Sequence, residues 1–184
     1  MIDGSILVGG AERSRSPFFH GVNPATGAAL PTAFSTANAA DVADACGLAA
    51  DAAEGFGALL PDERAAFLER IADEILAIGD DLIVTAMAES GLPRPRLEGE
   101  RGRTMGQLRL FAAAVRRGEW LDATIDIALP DRAPPRPDVR RMNHAIGPVA
   151  VFGASNFPLA FSVAGGDSAS AWAAGCPVVV KGHP

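Results

Sequence analysis

With 184 residues, the chain is long enough for one substantial core or for most of a larger domain. Its net charge of -6 and pI near 5.0 exclude a general polyanion binder, because affinity for a phosphate backbone comes from surplus Lys and Arg. Two cysteines, Cys46 and Cys176, and three histidines, His20, His144 and His183, have no metal-ligand spacing, so no metal is assigned.

Met1-Ile2-Asp3-Gly4 lacks the basic start of a secretory signal, and the apolar run after it is too short. Ile6-Leu7-Val8 and the region 18–34 hold short β-compatible pieces divided by Asn23-Pro24 and Thr26-Gly27, which predicts an edge hairpin. Asn38 is placed to cap a helix, with Asp41 in its first turn at the positive helix end. Val42, Cys46, Ala49, Ala53 and Phe56 then recur at steps of four, three, four and three, an Ala-rich apolar stripe that lets a neighbouring helix approach closely. Cys46 in that stripe and Cys176 before a strand read as reduced and buried, which fits a cytoplasmic protein.

Pro61 opens a second helix with Phe67, Leu68, Ile71, Ile75, Leu76 and Ile78 inward, closed by Gly79. Residues 80–89 read as a third helix stopped by Gly91, and 97–117 as a fourth. Gly99, Gly102 and Gly106 each weaken that fourth helix by about 1 kcal/mol relative to Ala. They are expected to let it pack closely on the crossover helix further along. Arg94, Arg96, Arg101 and Arg103 cluster here with Glu98 and Glu100 among them, a solvated helix face rather than a nucleic-acid site.

From Ala123 the pattern changes. Thr124-Ile125-Asp126-Ile127 alternates, 130–137 is proline-rich and 138–145 resumes an extended pattern; a two-stranded ribbon with a long tip and a long surface loop both fit. Val149 to Phe152 is a β-rich apolar run closed by Gly153, and Pro158 suits the first turn of a helix. Helix-compatible residues continue through 159–173, Gly175 ends them, and Val178-Val179-Val180 forms a second buried strand with Lys181 at its C-terminal edge. The apolar stretch 145–166 is broken by Asn156, Pro158 and repeated glycines, so a sheet core is preferred to a membrane span. Two strands joined by such a crossover open onto one edge of a parallel sheet, where ligands bind. Asn156 and Lys181 are therefore expected to face one crevice.

Gly153-Ala154-Ser155-Asn156-Phe157-Pro158, followed by Ala174-Gly175-Cys176-Pro177-Val178-Val179-Val180-Lys181, resembles the aldehyde dehydrogenase superfamily, most closely its α-ketoglutarate semialdehyde dehydrogenase branch. Asn23-Pro24-Ala25-Thr26-Gly27 is similar to the family's N-terminal motif. The run from Gly99-Glu100-Arg101-Gly102-Arg103 to Leu110-Phe111 is similar to one typical of that branch. The resemblance implies an α/β fold: an incomplete Rossmann-like parallel sheet with N-terminal helices and a projecting β-ribbon. It assigns 1–122 to the helical part of the cofactor-binding domain, 123–145 to an oligomerisation ribbon, and 146–184 to the start of a βαβ NAD(P)-binding unit.

The resemblance covers almost the whole chain but only the N-terminal part of a family member, whose nucleophilic Cys and general-base Glu lie beyond Pro184. A fragment, inactive alone, is the expectation, and the open apolar edge at 178–181 agrees with it. Cys176, with Pro177 and apolar neighbours, has no basic group to lower its pKa and is not read as the nucleophile. The implied full-length enzyme uses NADP or NAD to oxidise an ω-oxo acid, such as α-ketoglutarate semialdehyde, to the dicarboxylate through a Cys thioester. It would form a homo-dimer or tetramer through the ribbon and bind neither nucleic acid nor membrane. A dehydrogenase for fatty or aromatic aldehydes and a non-enzymatic truncated partner subunit are the alternatives.

Read by position, Asn156 is either a local Asx cap or an amide donor to a developing oxyanion; the resemblance implies the donor. Lys181, by itself an ordinary strand-end lysine, becomes by resemblance a contact to the adenosine ribose, with Phe152, Gly153, Ala154 and Ser155 along the cofactor's path. Three positions on, where NAD-preferring relatives often carry Glu, stands Pro184. Without that carboxylate a 2′-phosphate is not repelled, implying NADP use comparable to or better than NAD. Arg103 is either a surface residue of a Glu-rich helix or, by resemblance, a guanidinium in the aldehyde tunnel that grips a distal carboxylate bidentately. Phe157 and Phe161 would supply tunnel walls, and Ala160 and Ala164 would leave room.

Overall fold

The structure is a computed structural model in which residues 3–183 are described. Two antiparallel hairpins open the chain, β1 (Ile6–Val8) with β2 (Ala11–Arg13) and β3 (Phe18–Val22) with β4 (Ala29–Ser35). Gly9 and Gly10 both take positive φ in the first turn, a conformation that glycine adopts without a steric penalty. Helices α1 (Ala39–Gly57), α2 (Pro61–Ala77), α3 (Asp80–Ser90) and α4 (Arg94–Arg117) follow. A two-stranded antiparallel ribbon, β5 (Thr124–Asp126) and β6 (Val139–Arg141), comes next. The described chain closes on β7 (Val149–Phe152), α5 (Gly166–Ala173) and β8 (Val178–Lys181).

The main core lies between helices. Ala65, Leu68 and Ala72 of α2 pack with Leu108, Ala112 and Val115 of α4 and with Ala169 and Ala173 of α5. Alanines on all three helices let the leucines of the neighbours close the gaps. A smaller cluster joins Ile83 and Ala86 of α3 to Leu97 of α4. Of these helices α5 packs against both β7 and β8.

At the start of α1, Asn38 Oδ1 accepts the Asp41 N–H at 2.9 Å and the Asp41 carboxylate accepts the Asn38 N–H at 3.1 Å, a reciprocal capping box. Asp41 is buried and also pairs with Arg13 at 2.9 Å and Arg15 at 3.1 Å. The Asn38 N–H first, and the arginines after it, hold its carboxyl below the ordinary value. This anchor sets the rotation of α1. The row from Asp41 through Ala45, Ala49 and Ala53 turns inward, while Val42 and Cys46, expected on the buried stripe, are exposed. Of the two cysteines, only Cys176 is buried.

The expected inward face of α2 is also narrower than its sequence implies. Leu68 is buried and Ile71 and Ile75 pack partly against the core, but Phe67, Leu76 and Ile78 are exposed. On that side Phe67 meets Phe56 of α1 and Trp172 of α5 edge-on at 5.5 and 5.8 Å. On α4 the contact row is Leu97, Glu100, Thr104, Leu108, Ala112 and Val115. Gly99, Gly102 and Gly106 lie off this row, and a Cβ on any of them would meet no neighbouring atom. They do not mediate the close packing expected of them.

β7 and β8 run parallel in the register Val149↔Val178 to Phe152↔Lys181. The connection differs from the expected helix over 159–173: α5 begins only at Gly166, and 153–165 form an irregular turn. The Ala154 N–H donates to Phe161 O at 2.9 Å and the Gly166 N–H to Ala160 O at 3.0 Å, closing the segment on itself before a helix can start. Gly165 permits this closure, since a Cβ there would stand 2.5 Å from Ala160 O.

Candidate active site

The parallel pairing of β7 and β8 puts both C-terminal ends on one edge, with Phe152 opposite Lys181. The ladder continues one step further, the Gly153 N–H donating to Lys181 O at 3.0 Å. A Cβ on Gly153 would come within 3.0 Å of the His183 backbone nitrogen, so the glycine allows this close passage. Asn156 follows three residues on, exposed like Lys181 and Ser155. The two residues expected to share a crevice therefore emerge from the same edge. Phe152 presents its ring to solvent at 71% exposure, whereas Gly153 and Ala154 are half-buried.

Asn156 does not precede a helix as expected; ten positions separate it from Gly166, where α5 begins. Its Asx-cap reading is not realised either, because its side chain makes no hydrogen bond among the described residues. What fixes the turn is α4. Glu100, read from its neighbours as part of a solvated face, is instead only 4% exposed. Its Oε2 accepts the N–H of Leu159 at 3.2 Å and of Ala160 at 3.4 Å, and its Oε1 accepts from Arg96 Nε at 2.9 Å. The Thr104 hydroxyl stands 2.9 Å from Leu159 O and 3.0 Å from Glu100 O and shares its proton between them. The Leu159 side chain packs into the α3–α4 cluster.

Two arginines of α4 reach the same turn. Arg96 lies 4.5 Å above the Phe157 ring and its Nη2 donates to Asn156 O at 3.4 Å. Arg103 stands 5.7 Å from the Phe157 ring and 5.2 Å from that of Phe161, and the two rings meet edge-on at 5.5 Å. Arg103, Phe157 and Phe161 are thus brought together, with Ala164 half-buried nearby in sequence. Ala160 is buried and packs inside the turn rather than offering an open wall. Pro184 lies outside the described residues.

The β8 side rests on Arg64, which the sequence reading passed over. This buried guanidinium donates to Gly57 O at 2.8 Å and to Leu59 O and Ala173 O at 3.3 Å, carbonyls at the C-terminal ends of α1 and α5, where a cation is favoured. Burial pulls its pKa below the ordinary value. Gly175, at φ 86°, leaves room for it where a Cβ would stand 3.2 Å from the guanidinium. Among the described residues no three His, Cys, Asp or Glu side chains group as metal ligands, and no helix is long and apolar enough to cross a membrane.

Residues 11–184 match the aldehyde dehydrogenase family. The chain belongs to that family. It is similar to alpha-ketoglutaric semialdehyde dehydrogenase 2 of Azospirillum brasilense, with 64% identity over 151 residues, 82% of this chain and 29% of that protein. It is also similar to an alpha-ketoglutaric semialdehyde dehydrogenase of Acinetobacter baylyi, with 58% identity over 122 residues, 66% of this chain and 23% of that protein. Among solved structures, aldehyde dehydrogenase 21 of Physcomitrella patens, in complex with the reaction product succinate, superposes with a TM-score of 0.85 at 27% identity. That match covers 98% of this chain and 36% of the other. The fold is accordingly the α/β fold of aldehyde dehydrogenases, and the chain spans under a third of the length of these two curated relatives.

Proposed function

We propose that this chain supplies the cofactor edge and the aldehyde-facing wall of an NAD(P)-dependent dehydrogenase that oxidises an ω-oxo acid such as α-ketoglutaric semialdehyde. The observation that carries the reading is the emergence of Asn156 and Lys181 from adjacent parallel strand ends, the edge at which such sheets bind ligands. The two curated relatives are named for that substrate.

The residues at this edge suit a dinucleotide: an exposed ammonium at Lys181, an exposed apolar ring at Phe152 and an exposed hydroxyl at Ser155. Lys181 would hold the adenosine ribose, and Phe152, Gly153, Ala154 and Ser155 would line the cofactor's path. Bound NAD(P) supplies the hydride acceptor for aldehyde oxidation. With Pro184 where an acidic residue would repel a 2′-phosphate, NADP is accepted at least as well as NAD.

Asn156, whose side chain makes no hydrogen bond among the described residues, would donate to the oxyanion formed when a thiolate from outside these residues adds to the aldehyde carbonyl. Arg103 makes no hydrogen bond or ion pair among the described residues. Beside two aromatic rings its planar fork remains available for the far carboxylate of the substrate. The ribbon of β5 and β6, with Ile125 and Val139 exposed on it and Ile127 and Met142 exposed just beyond the strand ends, would pair with a second copy in a homo-dimer or tetramer.

The test uses a full-length enzyme carrying this sequence, assayed with a semialdehyde acid and with an uncharged aldehyde of equal length, each with NADP and NAD. The acid is expected to show the higher kcat/KM, and Arg103→Met to lower kcat/KM for the acid by roughly tenfold or more while sparing the uncharged aldehyde. Equal losses on both substrates would exclude a carboxylate clamp, and a strong preference for NAD would exclude the cofactor reading.

A further inference from the structure

The turn that carries Asn156 has no regular structure of its own, yet a transition-state donor must be held to a fraction of an ångström. Three side chains of α4 meet this turn with directed bonds. Glu100 Oε2 takes the N–H groups of Leu159 and Ala160, Thr104 shares its hydroxyl proton with Leu159 O, and Arg96 Nη2 donates to the carbonyl of Asn156 itself. Arg96 Nε simultaneously donates to Glu100 Oε1. A single ion pair therefore spans the turn, its cation on the peptide of Asn156 and its anion on the N–H groups three and four residues later. The carboxylate is 3% exposed while the Arg96 side chain is 41% exposed, so the anion is the fixed end of the device.

We infer that Glu100 is a positioning residue for the Asn156 amide, with Arg96 as its relay to the Asn156 carbonyl. The inference rests on the oxyanion role proposed above for Asn156. Both carboxylate oxygens of Glu100 act as acceptors, one toward the turn and one toward Arg96. A glutamine has one acceptor oxygen and one donor nitrogen. Glu100→Gln can therefore keep the turn N–H groups or Arg96, but not both, with almost no change of shape. Arg96→Met removes the relay from a partly exposed position and leaves Glu100 on the turn.

The experiment is a double-mutant cycle in a full-length enzyme carrying this sequence, combined with peptide-resolved hydrogen exchange. Removing the Asn156 amide is expected to lower kcat by roughly 10²- to 10³-fold. Glu100→Gln should lower kcat by roughly 10- to 100-fold with KM for aldehyde and for NAD(P) little changed. Arg96→Met should cost less in the same direction. In the Asn156→Ala background neither change should cost anything further, because both act through the missing amide. Exchange over 154–165 should quicken in Glu100→Gln while peptides of α2 and α5 stay as they were. Unchanged exchange in the turn, or the same fold-loss in both backgrounds, overturns the inference. An Asn156→Ala enzyme with intact kcat overturns the oxyanion reading instead, and exchange over 154–165 then still tests the hold of Glu100 on the turn.

Discussion

The α2–α4–α5 interior and the turn after β7 are neighbours in this chain, and they are held by different forces. In the interior, Leu68, Leu108, Ala112 and Ala169 are wholly buried and no polar partner is needed; burial of apolar area and close packing hold the helices. In the turn, Ala160 is buried and Leu159 packs on the α3–α4 cluster, but the path of 154–166 follows from a carboxylate, a hydroxyl and a guanidinium aimed at particular backbone atoms. Packing tolerates small slips because it is spread over many contacts, whereas each directed bond fixes one atom. Stability should therefore reside in the first region and catalytic geometry in the second.

Leu108→Ala in a full-length enzyme carrying this sequence puts the largest strain on that contrast. It should cost about 2–5 kcal/mol of unfolding free energy, from lost transfer energy and the cavity left behind, with kcat per folded molecule nearly unchanged. A denaturant titration read beside active-site-normalised kinetics checks this, and a loss well under 1 kcal/mol would mean the interior is not what holds the fold. Glu100→Gln sharpens the contrast from the other side: about 1–3 kcal/mol of stability for a mismatched buried acceptor, with most of its effect in turnover.

The smallest effect concerns acid. The folded carboxyl of Asp41 is held below its ordinary 3.8 by the Asn38 N–H and by Arg13 and Arg15. A depressed folded pKa adds stability that is complete above the ordinary value and is lost as the pH falls through the lower one. The stability difference between wild type and Asp41→Asn should hold steady at neutral pH and shrink below about pH 4. A difference that stays constant on acidification would show that the charge of Asp41 is not what ties β2 to α1.

Much of the helical region is legible in the sequence for a physical reason. Leu68, Ile71 and Ile75 repeat with the helical period, Asn38 and Asp41 cap within three residues, and Gly91 and Gly118 stop their helices at positive φ; all of these are local effects. The paired ends of β7 and β8 follow in the same way from two apolar runs and the rule for parallel connections. The rotation of α1 was not legible, because Asp41 is drawn inward by arginines 26 and 28 residues earlier. Glu100 was hidden for the same reason, its turn partners lying 59 and 60 residues away. One clue existed in the three- and four-residue steps from Leu97 through Glu100, Thr104 and Leu108 to Ala112, which place the acid on the inward row. The arginines and glycines around it drew the reading outward.

The central claim is that one strand edge carries both the dinucleotide contact and the oxyanion donor. A crystal structure of a full-length enzyme carrying this sequence, with NAD(P) and an aldehyde-derived adduct bound, tests it most directly. The expected result is the adenosine ribose within hydrogen-bond distance of Lys181 Nζ and the adduct oxygen within hydrogen-bond distance of Asn156 Nδ2, in one continuous site. A dinucleotide bound away from Phe152 and Lys181, or an adduct oxygen held by other donors with Asn156 turned to solvent, would contradict it.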